Sequence, residues 1–205
     1  MSDERIDAEA TSEEGYNMLH ILCRECGNYS EEYIIDLIEM LMQSSKVPYI
    51  KDEGVRGWTP LHFACHWQTK ERMEVILKVA VEQNIDVNEE EDIFGSTAAH
   101  MAFEKGFDDH HSKSFTEREN VRGLSPFIDV ILKYAKKVRI NLEATDNEGS
   151  TPLHRLCQRN YLQYSKKDIE HFLEMAKAEY GIEFNLNATD NDGQTPMDYI
   201  DFGYK

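Results

Sequence analysis

Residues 141–154 read NLEATDNEGSTPLH, and residues 185–198 read NLNATDNDGQTPMD. Asparagine, leucine, alanine, threonine, aspartate, glycine and proline recur in the same order, 44 residues apart. Self-similarity at such an interval is typical of repeat architectures, in which stacked supersecondary units share one continuous core. The two stretches therefore predict an array of similar units rather than a fold of unrelated elements.

Three looser copies of the same Gly-x-Thr-Pro-Leu-His theme lie upstream. They read GYNMLHIL from residue 15, GWTPLHFA from residue 57 and GSTAAHMA from residue 95. The five glycines stand at positions 15, 57, 95, 149 and 193, with spacings of 42, 38, 54 and 44 residues. Glycine suits a tight turn, threonine suits a helix N-cap, and proline suits the first helical position. Each copy therefore predicts a turn followed by a short helix.

A second, longer helix is predicted after each of the first four copies. The segments 30–43, 69–83, 125–137 and 165–180 carry apolar residues at helical spacing. Ser30, Thr69 and Ser125 are the expected N-caps of the first three segments. Each unit is thus predicted to consist of a turn, a short helix, a connector, a longer helix and an extended return.

This organisation resembles the ankyrin repeat, whose theme is Asp-x-x-Gly-x-Thr-Pro-Leu-His-x-Ala followed by a second helix and a turn. The resemblance covers about residues 14–205 and implies an all-α fold: an ankyrin-repeat solenoid of helix-turn-helix units with β-turn or hairpin connections. The expected units span about 14–50, 51–88, 89–140 and 141–184, with a partial fifth at 185–205. Residues 1–13 are expected to form an acidic flexible tail.

The chain also departs from the ankyrin pattern. Ankyrin units run to about 33 residues, so every unit here is longer, and the longest contains a predicted insertion at about 106–124. The theme is altered at Asn17-Met18, Ala98-Ala99 and Met197-Asp198. The fifth copy ends inside its first helix, which fits either a cap or a truncated chain.

Composition narrows the classes of function. Hydrophobic residues make up 40% of the chain and charged residues 30%, which is typical of a soluble globular protein. The net charge of −17 argues against nucleic acid and anionic membranes as partners, because both are bound mainly through Lys and Arg. It favours a basic protein partner, unless the charge serves solubility alone. Four cysteines without a disulfide pattern indicate a cytoplasmic or nuclear protein, which we expect to be monomeric alone.

The reactive residue types fall mostly on repeat positions. The resemblance implies that His20, His62, His100 and His154 brace adjacent turns by hydrogen bonds. Cys23, Cys65 and Cys157 share a position that holds small apolar side chains in ankyrin units, which leaves little support for a zinc or redox site at Cys23 and Cys26.

The best metal candidate is the cluster of Asp108, Asp109, His110 and His111. Adjacent side chains seldom converge on one ion, so a polar loop is favoured over a metal-dependent enzyme. No phosphate loop, nucleophile elbow or zinc-protease motif is present in the sequence. We therefore expect no catalytic activity, cofactor or metal.

The partner-binding residues are expected on the turn tips and on the concave face of the short helices. This surface is implied by the resemblance and agrees with the use of concave surfaces by solenoids. Trp and Tyr are enriched in binding hot spots. The alternative is that Trp58 or Phe63 folds back onto its own turn. Trp67 either joins this surface or packs on the second helix. The predicted set is Tyr16, Ile21, Trp58, Phe63, His66, Phe94, Met101 and Arg155.

Residues 89–92, Glu89, Glu90, Glu91 and Asp92, are predicted to form an acidic rim that steers a basic ligand. The predicted function is a non-enzymatic protein–protein interaction module, an adaptor or inhibitor, for a basic segment with apolar anchors. A regulatory ankyrin domain of a larger enzyme, receptor or channel is the alternative, and a metal-dependent enzyme using Asp108–His111 is less favoured.

Overall fold

The computed structural model describes residues 10–24, 29–44, 49, 51–52, 56–67, 69–104, 125–158 and 165–202. Within these ranges every regular element is helical, and the extended pairing consists of an isolated bridge between Glu90 and Thr97. The prediction of an all-α fold is confirmed. No helix in these ranges is long and apolar enough to cross a membrane. Residues 1–9 of the predicted tail and the whole predicted insertion lie outside the described residues.

Short and long helices alternate along the chain. In order they are α1 Met18–Arg24, α2 Glu31–Gln43, α3 Pro60–His66, α4 Lys70–Gln83, α5 Ala98–Glu104, α6 Pro126–Ala135, α7 Pro152–Gln158, α8 Lys166–Met175 and α9 Asp198–Phe202. A π-helical turn, Ala176–Tyr180, continues α8. Each copy of the theme begins a short helix, and each predicted capped segment forms a long one.

The helices pack in two layers. Short helices contact short helices, with α1 against α3, α3 against α5, α5 against α7 and α7 against α9. Long helices contact long helices, with α2 against α4 and α4 against α6. Apolar side chains from both layers, such as Leu61, Ile76, Phe103 and Ile131, are fully buried between them. Each unit therefore packs mainly on the units before and after it.

The predicted caps of the long helices are confirmed at two of three positions. The hydroxyl of Ser30 accepts the N–H of Tyr33 at 3.3 Å, and that of Ser125 accepts the N–H of Phe127 at 3.3 Å. Thr69 stands at the N-cap position of α4 but makes no capping hydrogen bond with its side chain. Its hydroxyl donates instead to the carbonyl of Ala64, because the preceding short helix ends beside it.

The turns of successive units stack on one another through their glycines. Gly95 has a φ of +69°, and a Cβ atom there would lie 2.7 Å from Oδ1 of Asn147 in the next turn. The N–H of Asn147 donates to the carbonyl of Phe94 at 2.8 Å. Glycine at this position is therefore required both by the left-handed backbone and by the close approach of the neighbouring turn.

A buried arginine joins the first two units. Arg72 on α4 is fully buried, and its Nε and one terminal nitrogen donate to the two carboxylate oxygens of Glu31 at 2.8 and 2.7 Å. Its other terminal nitrogen donates to the carbonyl of Leu22 at 2.7 Å. The guanidinium thus ties α4 to α1 and α2 with charge-assisted hydrogen bonds.

Candidate partner-binding surface

Three repeated histidines link successive units. In His62, Nδ1 accepts the N–H of Thr59 at 3.1 Å, and Nε2 lies 3.0 Å from the carbonyl oxygen of Ser96 in the next unit. A backbone N–H can only donate, so Nδ1 is unprotonated and Nε2 carries the hydrogen. Equivalent bridges join His100 to Ser150 at 2.9 Å and His154 to Gln194 at 3.1 Å. The predicted bracing role of these histidines is confirmed.

The first and fifth units carry variants of the Thr-Pro-Leu-His theme. In the first unit, Nδ1 of His20 accepts the N–H of Asn17 at 3.0 Å. In the fifth unit, Asp198 stands at the histidine position. Its carboxylate accepts the N–H of Thr195 at 2.8 Å and the Thr195 hydroxyl at 2.7 Å. The side chain of Asp198 is thus directed back onto its own turn.

Burial keeps His62 and His100 neutral and the thiols of Cys23 and Cys157 protonated. Desolvation lowers the pKa of His62 to about 4 and also lowers the pKa of His100. Burial raises the pKa of the Cys23 and Cys157 thiols to about 12, so neither forms the nucleophilic thiolate near neutral pH. Cys65 is fully buried as well. These side chains form part of the packed scaffold.

Five rings form a continuous line across the first two units, which we call the aromatic row. Tyr16 contacts Phe63 edge to face with ring centroids 5.3 Å apart, and Phe63 contacts Trp58 at 5.1 Å. Trp58 contacts His66 at 4.8 Å, and His66 contacts Trp67 at 5.3 Å. The row brings together four of the predicted partner-binding residues on the α1 and α3 side of the molecule.

The expected exposure of Trp58 and Phe63 is wrong. Trp58 is 5% exposed and Phe63 is 4% exposed. The indole does not project from its turn but packs against Phe63 and His66 of α3, the helix that follows it. The accessible parts of the row are Tyr16 and His66, which are half-buried, and Trp67, which is exposed. Trp58 and Phe63 therefore form the base of the surface rather than its outer contacts.

Two guanidinium groups lie over the row. Cζ of Arg56 lies 4.9 Å from the ring centroid of Trp58, and Cζ of Arg24 lies 5.6 Å from that of Tyr16. Both distances are within the range of cation–π attraction. Arg24 also pairs with the exposed carboxylate of Glu14 at 3.4 Å. The chain thus places its own cations on the two ends of the Tyr16–Phe63–Trp58 series.

An open pocket of about 360 Å³ adjoins the Tyr16 end of the row. Ile21 lines it and is 40% exposed, as the sequence predicted. Two exposed carboxylates supply its negative charge. The full lining is Ser12, Glu13, Glu14, Tyr16, Ile21 and Arg24. The pocket therefore combines an apolar side chain, an aromatic ring and acidic groups.

The third unit contributes less to this surface. Met101 is half-buried and packs against the core. Phe94 is 58% exposed at the tip of its turn, beside the exposed Ile93. The predicted exposure of Phe94 is confirmed.

Glu91 was predicted in the acidic rim, but it is buried and shapes its turn. Its carboxylate accepts N–H groups from Ile93 at 3.0 Å, from Ser96 at 3.3 Å and from Phe94. Asp146 has the same role in the fourth unit, where it accepts the N–H of Ser150 at 3.0 Å. The turn after Glu91 has one more residue before its glycine, so the longer side chain is needed.

The rest of the predicted rim is exposed. Glu89 and Glu90 are exposed, and Asp92 is exposed while paired with Lys51 at 2.8 Å. The rim therefore consists of Glu89 and Glu90 with a partly neutralised Asp92.

Arg155 belongs to an internal polar network in the fourth unit. Its guanidinium is bonded to Asp146, with Nε at 2.6 Å, and lies 3.1 Å from the carboxylate of Glu148. It also donates to Gln158 at 3.2 Å. Arg155 is therefore engaged in supporting its own turn, and the structure does not bring it into the aromatic row.

Within the described ranges, no group of three or more His, Cys, Asp or Glu side chains is arranged to hold a metal ion. The candidate cluster Asp108, Asp109, His110 and His111 lies outside those ranges. No family model matches this chain.

Proposed function

We propose that this chain is an ankyrin-type repeat array that acts as a non-enzymatic protein–protein interaction module, an adaptor or inhibitor. Its partner is a basic protein segment with apolar anchors, bound on the α1 and α3 side. The observation that carries the proposal is the aromatic row together with the acidic, partly apolar pocket at its end. Rigid aromatic rings beside an apolar pocket are typical of binding hot spots.

The repeat arrangement supports the ankyrin part of the proposal. Short helices pack on short helices, turns stack through glycines, and a histidine in each inner unit bonds to the next turn. Each of these contacts uses a residue of the Gly-x-Thr-Pro-Leu-His theme. A scaffold of this kind presents side chains from several units on one continuous surface.

Charge supports a basic partner. Glu13 and Glu14 line the pocket, and Glu89 and Glu90 are exposed on the rim. The whole chain carries a net charge of −17. Such a distribution raises the association rate and the specificity for a basic segment more than the final affinity. The buried thiols of Cys23, Cys65 and Cys157 suit a reducing compartment, so we place this function in the cytoplasm or nucleus.

The test is affinity capture of partners with a matched pair of variants. Ile21 in the pocket is 40% exposed, and Leu186 on a distant return segment is 38% exposed. Ile21→Glu should reduce recovery of a specific partner about tenfold or more, whereas Leu186→Glu should leave it unchanged. Circular dichroism checks that both variants are folded. Equal recovery with both variants would contradict binding at this surface.

A further inference from the structure

We propose that the aromatic row binds arginine side chains of a partner at the two positions where Arg56 and Arg24 of this chain now lie. The inference rests on the proposed function and specifies its ligand. Arg56 and Arg24 are then internal competitors that leave the rings when the partner arrives.

The present positions of these two guanidinium groups define the sites. Arg56 lies over Trp58 at 4.9 Å and Arg24 lies over Tyr16 at 5.6 Å, with Phe63 between the two rings. The row thus already holds two guanidinium groups, one at each end of a three-ring series. A partner with two nearby arginines matches this arrangement.

Both internal arginines are reached by solvent. Arg56 is exposed, and the ion pair of Arg24 with Glu14 joins side chains that are 37% and 67% exposed. Exposed ion pairs and exposed cation–π contacts contribute little, because water and salt screen them. An incoming side chain that makes the same contacts and adds others can therefore replace them.

Trp58 provides a second, independent observation. Its indole Nε1–H is buried and has no hydrogen-bond partner among the described residues. Buried donors are nearly always paired in folded proteins, so an unpaired one calls for an explanation. A peptide that displaces Arg56 brings a backbone carbonyl to this ring, and that carbonyl is the acceptor that the indole lacks.

Arginine fits this surface better than lysine. The guanidinium is planar and weakly hydrated, so it stacks on aromatic faces and still donates in its plane to carboxylates. Glu13 and Glu14 stand beside the Tyr16 ring to accept those hydrogen bonds. A lysine ammonium is more strongly hydrated and donates as a point charge, so it gains less from the same rings.

Fluorescence titration tests the inference directly. The chain has two tryptophans, so Trp67→Phe leaves Trp58 as the sole indole reporter. We titrate this protein with a Gly/Ser peptide that carries two nearby arginines, and with the same peptide carrying two lysines instead. The arginine peptide should change the Trp58 emission saturably and bind about tenfold more tightly than the lysine peptide.

A matched pair of variants tests the displacement. Arg56→Ala should bind the arginine peptide at least about threefold more tightly, because the internal competitor is gone. Lys137→Ala is the control, since Lys137 lies 5.2 Å over the ring of Tyr134, away from the row, and its loss changes the net charge equally. The control should leave the affinity nearly unchanged.

Three results would overturn the inference: no binding of either peptide, equal affinity for both, or equal tightening by Arg56→Ala and Lys137→Ala. If Ile21→Glu still abolished partner capture in that case, the proposed function would stand without the arginine sites. The opposite result is that the arginine peptide binds as expected but Ile21→Glu and Leu186→Glu recover the partner equally. That result would contradict the proposed partner site and leave the arginine sites supported.

Discussion

Nε2 of His100 lies 2.9 Å from the carbonyl oxygen of Ser150, which is 50 residues further along the chain. Nδ1 of the same ring accepts the N–H of Thr97 at 3.1 Å. One buried imidazole therefore satisfies groups in two successive turns and fixes their separation. The same ring orientation recurs at His62 and His154.

Replacing His100 should destabilise the fold. His100→Leu leaves the buried N–H of Thr97 unpaired, which costs about 1–3 kcal/mol, and it removes one of the two hydrogen bonds that the Ser150 carbonyl accepts. We expect the free energy of unfolding to fall by about 3 kcal/mol, measured by urea denaturation. His171 on α8 is exposed, so His171→Leu should change the free energy of unfolding by less than about 0.5 kcal/mol. Similar losses from both substitutions would show that the bridge is unimportant.

Lowering the pH from 7 to 5 should destabilise the protein, at pH values above those at which carboxylates titrate. Burial lowers the folded-state pKa of His62 to about 4, whereas an unfolded histidine has a pKa of about 6.5. Between these values the unfolded state binds a proton that the folded state does not, so stability rises with pH. From pH 7 to pH 5, His62 alone should remove about 2 kcal/mol of the free energy of unfolding.

The measurement is urea unfolding at intervals across this window, with NMR titration of the imidazoles. His100 should add to the loss, because its pKa is also lowered by burial. Stability that stays flat between pH 7 and pH 5 would contradict the neutral, buried state of the bridging histidines.

Removing Glu31 should cost far more than removing a carboxylate of the same helix whose ion-pair partner is exposed. Glu31→Ala leaves the fully buried Arg72 without its counter-ion, and breaking a buried pair from one side costs about 3–5 kcal/mol. Because Glu31 itself is partly exposed, we expect the lower end, about 3 kcal/mol. Glu39 pairs with the exposed Lys78 at 2.7 Å, so Glu39→Ala should cost less than about 1 kcal/mol. Thermal and urea unfolding compare the two, and equal costs would contradict this account.

The two tryptophans should behave differently. Trp58 is 5% exposed and packs on two rings, so Trp58→Ala should destabilise the protein by about 4 kcal/mol. For a chain of this length that corresponds to a fall in Tm of about 10 °C. Trp67 is exposed, and Trp67→Ala should leave Tm within about 2 °C. Scanning calorimetry measures the Tm of both variants. An unchanged Tm for Trp58→Ala would contradict the buried position of Trp58 and support the exposed position that the sequence predicted.

Sequence reasoning predicted the helices well because the theme repeats. Five in-register copies placed every short helix, and Ser30 and Ser125 were recognised as caps from their position before apolar segments. Thr69 shows the limit of that reasoning. A capping residue type predicts where a helix begins but not whether its hydroxyl is already used by the element before it.

The binding surface was predicted less well, because register does not determine side-chain direction. Trp58 occupies a tip position by count, yet packing against Phe63 and His66 is more favourable for a large ring than exposure to water. Glu91 was missed for a different reason, since its turn contains one extra residue. Counting back three residues from each glycine places Asp92 opposite Asp146, so the count alone selects the wrong acidic residue.

The side chain of Asp198 has a mechanical consequence. Each inner histidine anchors its unit to the following turn, but Asp198 bonds to its own Thr195. When the C-terminal side is pulled, the short helix α9 should therefore unfold first. The remaining units should then unfold one at a time, as the hydrogen bond between each imidazole and the carbonyl of the next turn breaks. The first two units, which carry the aromatic row, should unfold last.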